Sequence, residues 1–176
     1  TSAGAGQPPA FEAAAGGGLC LQVVGMSKTD TETYSTASWA DIPDMSLAIT
    51  PTKASSKILL FVTCSFSTYD LGAAGKIVVD IDGGGYNDLL VGDAASNRTQ
   101  ATWGLRSPDN VNDSYLQSKS FNYLHTPSYT LTDVITYKIQ WNSTGSAALY
   151  LNRQYEDSDY ATRARSVSMM TAMEID

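Results

Sequence analysis

The sequence predicts an all-β protein, an antiparallel β-sandwich, and three observations support this fold class. Short apolar runs recur at intervals of about 8 to 12 residues and are divided by turn residues, which is the spacing of strands in a sandwich or barrel. No long window shows the period of an amphipathic helix. In residues 57–66, the side chains of Ile58, Leu60, Val62, Cys64 and Phe66 share one face, whereas Thr63 and Ser65 fall on the other, the two-residue period of a half-buried strand.

Four strands are predicted in the first third of the chain. Residues 19–26 read LCLQVVGM, an apolar run, and residues 32–39 read ETYSTASW, a run rich in threonine and aromatic residues. Residues 45–50 and 57–66 are two apolar runs joined by a polar connector that carries Pro51, Ser55 and Ser56. Proline and serine are residues that interrupt strands, so the connector separates two strands.

Seven further strands are predicted at residues 76–82, 88–91, 100–105, 119–125, 134–141, 147–151 and 166–175. The expected separators are residues 72–75, 83–85, 107–112, 126–128 and 142–145, which are rich in Gly, Asn, Ser and Pro. Residues 134–141 alternate most regularly, with Ile135, Tyr137, Ile139 and Trp141 on the buried face.

The last predicted strand is apolar on both faces. One face carries Val167, Met169, Thr171, Met173 and Ile175, and the other carries Ser168, Met170 and Ala172. Two interpretations are open: a central strand buried within its own domain, or a strand whose second face forms a subunit interface. In the second case Met170 and Met173 are candidate assembly residues.

Composition divides the chain into two parts. Residues 1–18 form a Gly/Ala-rich N-terminal arm or linker in which Phe11 is the single large apolar residue. Such a segment has little in its own sequence to hold it in place, so Phe11 is expected to anchor the arm on another protein. Residues 19–176 form the β-sandwich domain.

Charge and composition argue against nucleic-acid binding, membrane insertion and secretion. Charged residues make up 16% of the chain, the net charge is −7, and the basic residues are scattered, whereas nucleic-acid binding requires clustered Lys and Arg. No apolar stretch approaches the roughly 20 residues that cross a bilayer, so no membrane insertion is expected. The first residues lack the pattern of a signal peptide, which favours synthesis in the cytoplasm.

No metal or cofactor is expected. The chain has two cysteines, Cys20 and Cys64, and one histidine, His125, which is too few ligands for a zinc site. A Cys20–Cys64 disulfide is geometrically possible, although a reducing cytoplasm favours free thiols. Asp80 and Asp82 precede three glycines and resemble part of a calcium loop, but a strand that ends in a glycine turn is the favoured interpretation.

The candidate functional residues are exposed aromatic and acidic side chains in loops. Glu156 and Asp157, flanked by Tyr155 and Tyr160, offer the paired acids of a glycan hydrolase or a sugar-binding loop without catalysis, or form an ordinary solvated loop. We therefore predict no catalytic residue, with His125 at the end of a strand. The predicted ligand-binding residues are Tyr86, Tyr115, Tyr155, Asp157 and Tyr160.

Four short sequence segments resemble those of one protein family. The run LQVV at residues 21–24, the pattern L-x-I-T-P-x-x-x-S-S-K-I-L at 47–59, NRTQAT at 97–102 and the closing MEI at 173–175 resemble, in this order along the chain, the C-terminal domains of tailed-bacteriophage tail fibres and capsid fibres. The resemblance spans residues 19–176. It implies a jelly-roll-like sandwich, commonly a homotrimer, at a fibre tip or on a capsid surface.

The sequence therefore predicts a non-enzymatic virion structural protein, a fibre-tip or receptor-binding knob made in the bacterial host and displayed on the particle. The alternative is a capsid decoration protein that binds and stabilises the shell, and a glycan depolymerase is a less favoured third reading. The expected partners are further copies of the chain, other virion proteins bound through the arm, and a host surface glycan or protein. No nucleic-acid partner is expected.

Overall fold

The computed structural model describes residues 18–68, 72–106, 115–143 and 148–176, and these residues form eleven β-strands and no helix. The strands are β1 (Cys20–Lys28), β2 (Glu32–Tyr34), β3 (Ala40–Ile49), β4 (Lys57–Thr68), β5 (Gly72–Ile81), β6 (Asn87–Leu90), β7 (Trp103–Arg106), β8 (Gln117–His125), β9 (Ile135–Ser143), β10 (Leu149–Leu151) and β11 (Ser168–Ile175). The described part of the chain thus contains no helix that could cross a membrane. The predicted arm, including Phe11, lies outside the described residues, apart from Gly18.

Two antiparallel sheets pack face to face, so the predicted β-sandwich is confirmed. The first, sheet A, has the order β1-β11-β4-β8, and β10 and β2 extend it beside the far end of β4. The second, sheet B, has the order β3-β9-β5-β6, with β7 also paired to β5. The chain crosses between the two sheets in the order of a jelly roll, and this order pairs the first strand, β1, with the last, β11.

Each predicted strand has a counterpart, and three boundaries differ by four or more residues. Residues 72–75, expected as a separator, are the first part of β5, and Gly75 among them lies against a large ring described below. The strand expected at residues 32–39 ends at Tyr34, and β3 begins at Ala40 instead of Met45. Pro43 and Asp44 lie within a register shift of β3, and the φ angle of Asp44 is positive (59°). The strand therefore continues through an irregularity that the local sequence does not predict.

The core lies between the sheets and is built from the alternating faces that the sequence indicates. Ile58, Leu60, Val62, Cys64 and Phe66 of β4 are all buried, as are Ile135, Tyr137, Ile139 and Trp141 of β9. Both cysteines are free thiols. Burial raises the pKa of the Cys64 thiol to about 12, so this residue packs as a small apolar side chain.

The Trp103 side chain lies between the two sheets near one end of the sandwich. Its ring stacks against Phe66 at 5.9 Å and Phe121 at 5.4 Å between ring centroids. A Cβ atom placed on Gly75 would lie 2.3 Å from the Trp103 ring, so the strand opposite the ring has room for a glycine and for nothing larger. This explains why glycine occupies the interior of β5.

Glu174 closes the opposite end of the sandwich. Its carboxylate is buried and accepts hydrogen bonds from the backbone N–H groups of Thr52 (2.9 Å) and Lys53 (3.0 Å) and from the Gln22 amide (2.8 Å). Burial opposes ionisation of Glu174, but these hydrogen bonds outweigh it and hold the pKa of the carboxyl below its usual value. Glu174 of the M-E-I segment therefore contacts the two residues that directly follow the I-T-P segment.

Candidate functional site

The loop from residue 152 to residue 167, between β10 and β11, carries three of the five predicted ligand-binding residues. Asn152 fixes its start. Asn152 is fully buried with a positive φ of 59°, a conformation that asparagine tolerates better than most residues. Its amide donates to the carbonyl groups of Lys28 (2.8 Å) and Asp30 (2.9 Å), and Ser168 donates to its Oδ1 at 2.7 Å. The loop is therefore tied to β1 and β11.

Arginine side chains neutralise the acids of this loop. Asp157 pairs with Arg165 at 2.7 Å and with Arg153 at 3.7 Å, and Glu156 pairs with Arg163. Both acids are therefore engaged in ion pairs with arginine side chains of the same loop.

The aromatic residues of the loop differ in exposure. Tyr155 is half-buried and packs on Tyr150 at 5.7 Å between ring centroids, with Arg153 on the Tyr150 ring at 4.2 Å. Tyr160 is exposed to solvent. Two rings in tilted contact and an exposed third ring, beside paired charges, give the loop a mixed aromatic and polar surface.

The structure separates the five predicted residues into two groups. Phe66 of β4 pairs with Gln117 on one side and Leu151 on the other, so exposed Tyr115 and the loop after Leu151 lie at the same end of the sandwich. Tyr86 belongs to the turn between β5 and β6, beside the start of β9 at the opposite end. The sequence alone could not assign these ends.

The predicted assembly residues also fall in different places. Met170 is fully buried in the core of the chain itself, so it has no exposed surface to offer to a second subunit. The inward face of β11 is Ser168, Met170, Ala172 and Glu174, and the outward face is Met169, Thr171, Met173 and Ile175. Met173 is half-buried on this outward face, and Phe11 lies outside the described residues.

The outward side of sheet A is an apolar surface, which we call the apolar face. Strand pairing aligns its side chains in three rows across β1, β11, β4 and β8, namely Val23, Met173, Leu59 and Leu124, then Gly25, Thr171, Phe61 and Asn122, then Ser27, Met169, Thr63 and Ser120. None of these positions carries a charge. The exposed fractions of Val23, Leu124, Phe61 and Met169 lie between 42% and 56%, so large apolar side chains face water on a broad sheet.

The sequence contained a signal for this face that the strand analysis did not use. Leu59 and Phe61 alternate with the core residues of β4 and share the outward side with Thr63. In the first half of β4, apolar residues occupy both the inward and the outward positions. This pattern is typical of a strand that is covered on both sides. The neighbouring β8 gives a weaker signal, because Ser118, Ser120 and Asn122 precede Leu124 on its outward side.

The residues considered for metal binding and catalysis have structural roles. The Asp80 carboxylate accepts hydrogen bonds from the N–H groups of Gly83 (3.1 Å) and Gly85 (2.6 Å), so it stabilises the glycine turn. Within residues 18–68, 72–106, 115–143 and 148–176, no three His, Cys, Asp or Glu side chains are grouped to hold a metal. His125 Nδ1 lies 2.9 Å from the hydroxyl of Tyr137, and burial lowers the pKa of the imidazole.

The fold and these surfaces define a jelly-roll sandwich with one apolar outer face and one arginine-rich aromatic loop. No protein-family model matches the chain, and no curated protein matches it in sequence.

Proposed function

We propose that this chain is a non-enzymatic structural protein of a tailed-bacteriophage virion. It associates into a homotrimeric knob at a fibre tip and binds a glycan or protein on the host surface. The proposal combines the resemblance of residues 19–176 to fibre domains with the chemistry of the outer surfaces of the sandwich.

The observation that carries the proposal is the apolar face. On this side of the sheet, exposed Val, Leu, Met and Phe side chains lie among uncharged polar residues. Their exposure to water is unfavourable, and their burial stabilises association. The occupant that we assign is a second and a third copy of the same chain. Three such sheets around one axis form a triangular prism with an apolar interior, and closed symmetry of this kind leaves no apolar face unpaired.

This arrangement leaves sheet B and the loops at both ends on the outside of the knob. The loop at residues 152–167 presents Tyr160, with Asp157 held by Arg153 and Arg165. Three copies of a weak site on one knob engage a cell surface together, so the overall affinity exceeds that of a single site.

Placement on the particle and adsorption to cells test the proposal together. A gold-labelled antibody against the chain is applied to purified particles of the phage that encodes the chain. The purified protein, labelled with a fluorophore, is mixed with a panel of bacterial strains. We expect gold at the tail tip and adsorption to the strains that the phage infects, with competition against infection.

Two results would contradict this function. Gold on the head, with stoichiometric binding of the protein to empty shells and no competition for cells, would identify a decoration protein and overturn the receptor role. The complete absence of gold from purified particles would overturn the virion assignment as well.

A further inference from the structure

The outer face of sheet B differs from the apolar face in that two aromatic rings lie over lysine side chains. The Nζ atom of Lys76 lies 4.5 Å from the centroid of the Trp39 ring, and the Nζ atom of Lys138 lies 4.3 Å from the centroid of the Tyr86 ring. Both distances are within the range of cation–π attraction. Each ring is therefore in contact with a lysine cation across one of its faces.

Carboxylates lock both lysines in place. Lys76 pairs with Asp88 at 2.6 Å, and Lys138 pairs with Asp41 at 2.8 Å. The Gln140 amide donates to the second oxygen of Asp41 at 2.8 Å. Hydrogen bonding to Asp41, and secondly to Tyr86, raises the pKa of Lys138. Lys138 is therefore a cation where it contacts the Tyr86 ring.

The strand register places both rings on one surface. Lys76 of β5 is opposite Gln140 of β9, and Val78 is opposite Lys138, so the two lysines are diagonal neighbours about 7 to 8 Å apart at their Cα atoms. Val78 shares their side of β5 and is nevertheless buried. Neighbouring side chains therefore cover Val78, whereas Tyr86 is 42% exposed and Trp39 is half-buried.

We propose that this surface, the aromatic platform formed by Trp39, Tyr86, Asp41, Asp88 and Gln140, binds a neutral oligosaccharide of the host surface. The inference rests on the proposed receptor-binding function and assigns it a site and a ligand class. The apolar side of a pyranose ring packs on a flat aromatic ring. Its hydroxyl groups require nearby acceptors, and an ionised carboxylate has about four acceptor positions.

The spare acceptors are present beside the rings. Asp41 accepts from Lys138 and Gln140, and Asp88 accepts from Lys76, so each carboxylate keeps lone pairs for a hydroxyl. Rings and acceptors already fixed by the protein lose little conformational entropy when a ligand binds. The net charge of −7 disfavours acidic polysaccharides, so the site favours neutral sugars.

A protein partner fits this surface less well than a sugar. The cores of protein interfaces are depleted in Lys and Asp, because ion pairs must lose water when an apolar surface covers them. A sugar replaces that water with hydroxyl groups and keeps the ion pairs hydrogen-bonded. Alternating rings and charges are therefore suited to a carbohydrate.

Tryptophan emission gives a direct test, because the chain has three tryptophans. Trp103 and Trp141 are buried, with exposed fractions of 6% and 2%, whereas Trp39 is half-buried on the platform. The probes are maltoheptaose, cellohexaose and chitohexaose, the neutral polysaccharide purified from a strain to which the protein adsorbs, and polygalacturonate as an acidic comparison. A neutral probe is expected to shift the emission saturably and to protect Trp39 from oxidation by N-bromosuccinimide.

Single-residue variants test the contribution of each platform residue. Trp39→Ala and Tyr86→Ala are each expected to weaken binding at least tenfold in calorimetric titration, and Asp41→Asn is expected to weaken it less. Trp39→Phe keeps a ring and should bind within a few-fold of the parent. Leu131→Ala, which changes an exposed apolar residue that belongs neither to the platform nor to the loop at residues 152–167, should bind as the parent does. The near-ultraviolet circular dichroism of Trp103 and Trp141 verifies that each variant is folded.

The platform is rejected if no neutral probe binds, or if binding is unchanged in a folded Trp39→Ala, Tyr86→Ala double variant. Cell adsorption distinguishes this failure from failure of the receptor function. Adsorption that survives in the double variant would keep the receptor role and overturn the platform. Platform-dependent oligosaccharide binding without adsorption to any infected strain would support the platform and overturn the receptor role.

Discussion

At the residue scale, the contact between Gly75 and Trp103 determines the packing at one end of the sandwich. The Trp103 ring occupies the position that a side chain on residue 75 would need. Its stacking partners, Phe66 and Phe121, come from sheet A, so a shift of the ring would disturb the contact between the sheets. Packed interiors tolerate such shifts poorly.

We expect Gly75→Ala to lower the free energy of unfolding by about 1 to 3 kcal/mol, because the added methyl group overpacks the core. Gly104→Ala is the matched control in the neighbouring strand β7, since a Cβ atom on Gly104 would have no heavy atom within 4 Å. Urea unfolding at a fixed protein concentration measures both. Equal midpoints for the two variants would contradict the close packing at Gly75.

Glu174 is the second residue whose environment has a measurable consequence. Its buried carboxylate joins the last strand to the connector between β3 and β4 through Thr52 and Lys53. Since its pKa in the folded protein is below the usual 4.5, the ionised form stabilises the fold. That contribution is present above about pH 4.5 and is lost as the pH falls through the folded-state pKa.

Glu174→Gln is therefore expected to be less stable than the parent by about 1 to 3 kcal/mol at pH 7, since a neutral amide replaces a charged acceptor. The difference should shrink as the pH falls from about 5 towards 3, because the parent loses the same charge. Urea titrations across this range measure the difference. Asp159→Asn, at an exposed loop position, should stay within about 0.5 kcal/mol of the parent. A difference for Glu174→Gln that is independent of pH would refute the role of its charge.

At the scale of elements, β4 connects the core to the apolar face. Its inward residues fill the sandwich, and its outward residue Phe61 lies at the middle of the apolar face between Thr171 of β11 and Asn122 of β8. The same strand therefore contributes to folding and, in our proposal, to assembly. A substitution on the outward side separates the two roles.

We expect the parent chain to sediment at three times its monomer mass of 18.8 kDa and Phe61→Glu to sediment as a folded monomer. Burial of a phenylalanine contributes about 1.5 to 3 kcal/mol per copy, and the variant would also bring three carboxylates close to one axis. Leu131→Glu makes the same kind of change at an exposed loop position outside the apolar face and should leave the trimer intact. A monomeric parent, or a trimeric Phe61→Glu variant, would overturn this assembly.

At the scale of the whole molecule, the strands could be predicted from the sequence, because two-residue alternation is a local consequence of backbone geometry. The errors have local causes as well. Glycine and alanine at residues 72–75 suggested a turn, because the Trp103 ring that requires small residues there is distant in sequence. Met170 was considered an assembly residue, because period-two alternation separates two faces without showing which one is inside.

The candidate sites depended more strongly on the tertiary structure. Tyr155, Asp157 and Tyr160 could be grouped from the sequence, since they share one loop, but the arginines that neutralise the acids could be assigned only from the folded loop. Trp39 was placed inside a strand, and nothing local connects it with Lys76 or Tyr86. These residues meet because β3, β9, β5 and β6 are neighbours in one sheet.

The sequence by itself determined the all-β class, the positions of most strands and the inward face of β4, because each follows from interactions between residues that are close along the chain. Only the tertiary structure decided the strand order, the exposed side of β11 and the two contrasting outer faces. Those features arise from pairing between strands far apart in sequence, where β1 meets β11 and Glu174 meets Thr52. No local pattern records which distant strand will be the neighbour.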